Sequence, residues 1–481
     1  MSVSNRVRQI EREIDARIRE LPTWQASRAE VLGDLMRTYR DAIEVIFLKA
    51  LHAKTFDGSP EDFGAAFGHE NRFRAGSLWA LKWATEYCPA IGVSTNRPPK
   101  ELVDLLSLGA TYETFVDALK CAQRDLIAIT VDEASRTITF YEGGPATPFD
   151  ADIVHRQRIT TPMTPHVSLT QDSDQLTSRW TAGDYRRVTK WLAEFGAQKE
   201  NTIFVDPALL AQIGKPVIAI PQPTLVWLDR PANVPDCDVF DDLVLPRAID
   251  GELKWRLVSL LDTPIVQAGD QFCALSSDLK TIAVCDGYML RLAARVDQAQ
   301  YSIATTLREG RMISICRDAL GRCPPPWSVT VHVRYKDPPQ EADVLASRDA
   351  KTLVLQLKST LPPETPWEVY KRNEELIEGV RHTKRLVDRG AADYGFVVTD
   401  GYRGDYACWA EALASDIPIA TLYDLDAIAS DPVAAAAEVK SRVGITASAP
   451  EPPQGVPDRV GDLMGWTLRF VDRHAPTEGH A

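Results

Sequence analysis

Residues 328–360 read SVTVHVRYKDPPQEADVLASRDAKTLVLQLKST, and their alternation decides how the C-terminal part of the chain folds. Three runs have strand character: Val329 to Tyr335, Ala342 to Ala346 and Thr352 to Lys358. The turn-forming Ser347, Arg348, Asp349 and Ala350 separate the last two. A tight hairpin closed by these four residues sets Glu341 opposite Gln356 and Asp343 opposite Val354. Side chains alternate faces along a strand, so Glu341, Asp343, Gln356 and Lys358 are expected on one face. Ala342, Val344, Leu353, Leu355 and Leu357 are expected on the other. One face reads as core, the other as a polar cluster.

Such a cluster suits a particular chemistry. Two oxygen donors on adjacent strands can hold one hard cation, Mg2+ or Mn2+, and a lysine two residues beyond one donor points to the same place. A cation there acidifies water and neutralises charge on a phosphodiester, while Lys358 is placed to hold the attacking hydroxide or the transition state. Phosphodiester hydrolysis is the matching reaction.

Working outward, WEVYKRNEELIEGVRHTKRLVDR (residues 367–389) has the period of an amphipathic helix. YGFVVTDG follows as a buried strand, YACWAEALAS as a helix and IPIATLY as a short strand. With EADVLAS and LVLQLKS before it, this stretch resembles the PD-(D/E)xK (restriction-endonuclease-like) nuclease superfamily, and within it the Mrr-like branch. That branch has an acidic residue on one strand and Gln or Glu, any residue, then Lys on the next. GFVVTDGYRGDYACWAEAL looks like its strand ending in Val-Thr before an Ala-rich helix. The resemblance covers roughly residues 300–430 and implies an αβββαβ domain with a mixed central sheet.

Carried over residue by residue, it implies Asp343 as the metal-binding acid, Gln356 and the Leu357 carbonyl as further ligands, and Lys358 as the catalytic lysine. Glu309, in LREGRMISICRDAL, matches the glutamate that such nucleases often carry on the helix before the first strand. Glu341 comes from the strand register and adds negative charge that the neutral Gln356 lacks. The resemblance further implies a DNA substrate, a role in bacterial restriction or anti-phage defence, and companions such as a second copy of the chain, a helicase or an Argonaute-like protein.

Charge qualifies the DNA expectation. The whole chain of 481 residues has 54 Lys plus Arg against 67 Asp plus Glu, a formal charge of −13. Residues 326–430 hold 12 basic and 17 acidic residues, so an electrostatic DNA footprint is not written across the domain. Lys371, Arg372, Arg381 and Lys384 make the helix after the active strand locally positive and are its candidate DNA contacts. His382 on the same helix reads as a surface residue.

Upstream, Val7, Ile10, Ile14, Ile18 and Leu21, then Val31, Leu35, Tyr39, Ile43 and Ile46, recur at helical spacing. IAITV and RTITFYE flank the turn DEAS as a hairpin. Residues 1–142 therefore read as a helical N-terminal region ending in a hairpin. Residues 143–178, rich in Pro, Thr, Ser and Asp, read as a linker or long loop. Residues 179–300 read as a middle α/β domain, with a helix at Asp184 to Phe195 and short apolar runs TIFV, PVIAI and TLVWL. Residues 301–435 are the nuclease-like domain, and 436–481, with ASAPEPPQGVPDR, a linker and C-terminal tail. The expected fold class is a multidomain α/β (α+β) chain whose first 300 residues sense a signal or oligomerise.

Several classes lack their sequence basis. There is no Walker A loop, GxGxxG, GxSxG or HExxH. The eight cysteines show no CxxC pair or zinc spacing and read as reduced thiols. No apolar stretch reaches membrane-spanning length and no secretory signal is visible, so a cytoplasmic protein without membrane contact is expected. A non-catalytic interaction protein that keeps a nuclease-like scaffold is the competing expectation.

Overall fold

The computed structural model describes residues 3–51, 79–93, 99–122, 127–141, 169–199, 201–204, 219–222, 225–228, 237–245, 262–268, 270–284, 286–336, 339–359, 363, 366–404, 406–444 and 459–471. In chain order it opens with α1 (Val3–Arg19), α2 (Arg28–Leu51), α3 (Pro99–Ala122), β1 (Ala128–Asp132) and β2 (Thr137–Tyr141). Next come α4 (Ala182–Ala197), β3 (Asn201–Phe204), β4 (Ala219–Gln222), β5 (Leu225–Leu228), α5 (Cys237–Leu243), β6 (Val266–Ala268), β7 (Gln271–Leu275), α6 (Ser276–Val284) and α7 (Asp286–Val296). The rest is α8 (Gln298–Arg322), β8 (Ser328–Tyr335), β9 (Gln340–Arg348), β10 (Lys351–Lys358), α9 (Pro366–Asp388), β11 (Tyr394–Thr399), α10 (Tyr406–Ser415), β12 (Ile419–Thr421), α11 (Leu425–Ser430), α12 (Pro432–Gly444), β13 (Arg459–Leu463) and β14 (Trp466–Val471). The architecture is mixed helical and sheet, a multidomain α/β chain. No helix among the described residues is long and apolar enough to cross a membrane.

The heptad-like stripe of α1 is buried as its spacing predicts, with Val7, Ile10, Ile14 and Ile18 in one core with Leu35, Tyr39, Trp79, Trp83 and Tyr112. That core is closed from an unexpected place. Residues 459–471, read from the sequence as tail, form β13 and β14, and β14 pairs in parallel with β2, Thr467 facing Thr137 and Phe470 facing Phe140. The Phe140 and Phe470 rings stack at 5.1 Å. The sequence reading missed this because hairpins announce themselves locally, whereas a parallel pairing between strands more than 300 residues apart has no local signature. Residues 432–444, partly assigned to the same linker, are α12, which buries Ala435 and Val439.

Of the stretch read as linker at 143–178, residues 143–168 lie outside the described residues, as does most of ASAPEPPQGVPDR. The described end is firmly held: Leu169 enters the C-terminal core, Thr170 is buried, and Arg311 grips Asp174 with both terminal nitrogens. In the middle unit, Thr181 and Asp184 form a reciprocal capping box that starts α4.

The C-terminal sheet has strand order β12-β11-β10-β9-β8, antiparallel among β8, β9 and β10 and parallel from β10 to β12. Helix α8 covers one face: Met312, Ile313, Cys316 and Leu320 pack on Val344, Ala346, Leu353, Leu355 and Leu357. Helix α9 covers the other, with Leu386 on Ala342 and Val354, and Leu376 and Val380 on Val397. The order from α8 to β11 is α-β-β-β-α-β.

Two details of this sheet correct the sequence reading. Asp349 and Ala350 both have positive φ, 51° and 61°, so they alone form the two-residue turn and Arg348 pairs with Lys351. The register is therefore two residues from that expected, with Leu355 facing Val344, and its continuation sets Asp343 opposite Gln356. Ala342 does not share the face of Val344, because the β8–β9 ladder skips the rung between Val331–Val344 and Val333–Ala342. There His332 has φ 51°, and the strands turn over.

Candidate active site

The site is built where β9 and β10 part. Their backbone pairing ends at Val344–Leu355. Beyond it the Asp343 side chain replaces the missing strand: Oδ2 accepts the Leu357 N–H at 2.7 Å and the Gln356 Nε2–H at 2.5 Å. The Leu357 carbonyl lies on the same edge of the strand as its N–H. Asp343 and Gln356 are each 7% exposed. Gln356 Oε1 is buried and has no hydrogen-bond partner among the described residues. An orphaned acceptor of this kind is costly unless something polar occupies the space beside it.

Lys358 and Glu341 lie further along the same two strands. The Lys358 stem runs over α9 at Gly379, where a Cβ would come 3.1 Å from Lys358 Cε. Glu341 is engaged by His332 Nδ1 at 2.8 Å and Arg334 Nε at 3.0 Å. Lys358 and Glu341 converge electrostatically on Asp343. Burial pushes its carboxyl up to about 6; the Leu357 N–H opposes the rise, Glu309 adds to it, Lys358 opposes it and Glu341 adds to it. Glu309 itself is exposed on α8. The Asp343 charge also reaches the buried Cys316 thiol, which burial first and that charge second push up to about 12.

A brace closes the end of this gap. Arg308 is buried on the stripe of α8 that also carries Ala304, Met312 and Cys316. It donates to Asp400 Oδ2 at 2.7 Å and to Thr170 Oγ1 at 2.6 Å, and Ser359 donates to the same Asp400 oxygen at 2.8 Å. Ser359 follows Lys358 and Asp400 follows Thr399, the parallel-strand partner of Lys358, so the brace fixes the ends of β10 and β11. The signal for Arg308 was present in the sequence: a charge on the apolar stripe of a helix is the informative exception to burial.

His382, read as a surface residue, is half-buried on α9, and its Nε2 lacks a hydrogen-bond partner among the described residues. Burial holds its imidazole below the ordinary range, with Arg385 and Lys358 adding to the effect. The expected DNA contacts on the same helix are mostly engaged with carboxylates. Arg372 binds Glu375, Arg381 binds Glu411 through Nε and Nη2, and Lys384 binds Asp388; Lys371 is exposed.

The donor set fits a hard cation. Among the described residues Asp343 Oδ1 accepts no hydrogen bond and Gln356 Oε1 has no partner, and with the Leu357 carbonyl on the neighbouring strand edge these are three oxygens of the type that Mg2+ and Mn2+ take. Among the described residues no group of three His, Cys, Asp or Glu side chains is arranged to hold a metal ion, so the set depends on the amide and the carbonyl.

The chain matches no protein-family model and none of the curated proteins. Among solved structures, Can2 from Sulfobacillus thermosulfidooxidans in complex with cyclic tetra-adenylate is similar at 13% identity and a TM-score of 0.19, over 72% of this chain and 74% of that chain. At that TM-score the likeness decides nothing about this chain.

Proposed function

We propose that the C-terminal unit is a metal-dependent nuclease of the restriction-endonuclease-like, Mrr-like kind that hydrolyses DNA phosphodiester bonds in a defence setting. The observation that carries this reading is the parting of β9 and β10, which leaves Asp343, the orphaned Gln356 Oε1 and the Leu357 carbonyl around one gap with Lys358 beside it. Asp343, Gln356 and Leu357 would hold Mg2+ or Mn2+, and such an ion supplies charge neutralisation and an acidified water. The Leu357 N–H and the Gln356 amide orient Asp343, while Lys358, an ammonium with three donors, holds negative charge developing at the scissile phosphate. Glu309 and Glu341 add negative potential that favours a dication. The Arg308–Asp400–Ser359 brace keeps the strand end that bears Lys358 in place. A second copy of the chain, a helicase or another defence protein would bring substrate to a domain that is itself acidic.

One observation favours a second reading, a non-catalytic scaffold with this fold: among the described residues Asp343 is the buried carboxylate at this place and no trio of His, Cys, Asp or Glu is arranged to hold a metal ion. Incubation of the full chain with plasmid and linear DNA in Mg2+ or Mn2+, beside Lys358→Ala, separates the two. Divalent-dependent cleavage lost in the variant is expected. Absence of cleavage with every substrate and metal selects the scaffold.

A further inference from the structure

The nuclease reading leaves the grip on substrate unassigned, since Arg372, Arg381 and Lys384 on α9 already hold carboxylates. The edge strand β8 offers a different surface. Before His332, Val329 and Val331 pack with the core under α8; after it, Val333 and Tyr335 pack with the cluster that includes Leu386 of α9. The positive φ of His332 marks the crossover. At and beyond it, His332 and Arg334 both reach Glu341, two residues from Asp343, and the exposed Lys336 follows just past the end of the strand. A non-glycine residue held in this region is uncommon and calls for an explanation.

We infer that Arg334 near the end of β8 and Lys336 just past it, with His332 beside them, bind the phosphodiester backbone of the nucleic acid and lead it to Asp343 and Lys358. The inference rests on the nuclease reading. Arg334 has 81% of its side chain exposed, and Glu341 engages only its Nε. Both terminal amino groups, the fork that meets a phosphate bidentately, make no hydrogen bond among the described residues. Glu341 thus orients the fork without consuming it. On α9 the opposite holds, because Glu411 takes both Nε and Nη2 of Arg381. Lys336 is exposed and makes no ion pair among the described residues. Arg334 and Lys336 lie two residues apart across the end of β8, so the cations are spaced along the chain and not gathered at a point, which suits a polymer of repeated negative charge. Charges on an edge strand also discourage pairing with another sheet. That role alone does not call for a carboxylate clamping the guanidinium at one nitrogen.

The test uses the full chain carrying Lys358→Ala, in Mg2+, with fluorescently labelled duplex DNA, single-stranded DNA and RNA of equal length, and anisotropy read over a salt series. Adding Arg334→Ala with Lys336→Ala is expected to weaken the preferred nucleic acid at least tenfold. It should also flatten the slope of log affinity against log salt by about 0.9 for each lost duplex contact, or about 0.7 for single strands. Arg334→Lys keeps the charge and loses the fork, so it should keep the slope and lose affinity. Arg372→Ala with Arg381→Ala should leave affinity within about twofold. Both side chains are exposed, and an unchanged melting temperature confirms that the variants fold. An unchanged affinity and slope in the β8 variant, while the otherwise wild-type chain still cleaves, overturns this inference and leaves the nuclease reading standing. Failure of all three nucleic acids to bind the parent chain overturns both.

Discussion

Asp343 accepts the Leu357 N–H at 2.7 Å, the hydrogen bond that the next rung between β9 and β10 would otherwise supply. A carboxylate placed in a ladder keeps the sheet satisfied on one edge while opening a gap lined by oxygens. The fold and the candidate chemistry meet at that bond, and its neighbours give the sharpest tests.

Asp343→Asn separates the cost of a buried charge from its use. The carboxyl lies at about 6 when folded, well above its unfolded range. The charge therefore costs nothing at pH below about 4, costs progressively more as pH rises to about 6, and is fully penalised above that. The metal-free variant should gain up to about 3 kcal/mol at pH 7.5, from ~1.4 kcal/mol per pKa unit, with the gain shrinking toward pH 4. Chemical denaturation at several pH values measures it. A gain that grows on acidification would show that Asp343 is held by favourable charge instead.

Gln356→Glu places a second carboxylate beside the first and removes the Nε2 donor to Asp343. Without divalent ions this should cost roughly 2–3 kcal/mol, and Mg2+ or Mn2+ should recover more stability in the variant than in the parent. Thermal unfolding with and without metal reads both effects. An equal response to metal in the two proteins would remove Gln356 from the ligand set.

Gly379→Ala tests the seat of Lys358. The new Cβ would come 3.1 Å from Lys358 Cε, so the lysine stem has to yield by a few tenths of an ångström. Alanine also favours helix by up to about 1 kcal/mol, so stability should hold or rise. Cleavage is expected to fall by about tenfold, since small misplacements of a reacting group are amplified in rate. Loss of folding instead of rate would place the role of Gly379 in packing.

Phe470→Ala probes the late return of the chain to its beginning. The ring is buried and stacks on Phe140. Its truncation should cost about 3–4 kcal/mol and lower the melting of the N-terminal unit. A cost below about 1 kcal/mol would mean that β14 contributes little to that core.

The amino-acid sequence alone determined the local elements, because each is set by spacing within a few residues. The stripe Val7, Ile10, Ile14 and Ile18 made α1, and the alternation in 328–360 made three strands. The amphipathic run 367–389 made α9. It also determined which residue types were available to the site: Asp343, Gln356 and Lys358 were visible from their alternation and from the order of the elements around them. Only tertiary structure decided their arrangement. Asp-Ala is not a strong signal for a two-residue turn, so the register of β9 and β10 moved by two; an even step keeps each side chain on its face but changes its partner. The turnover at His332, the Arg308 brace and the pairing of β14 with β2 depend on contacts between residues far apart in the chain. Their energies come from burial and pairing that form only once the chain has closed on itself, so no short window of sequence records them.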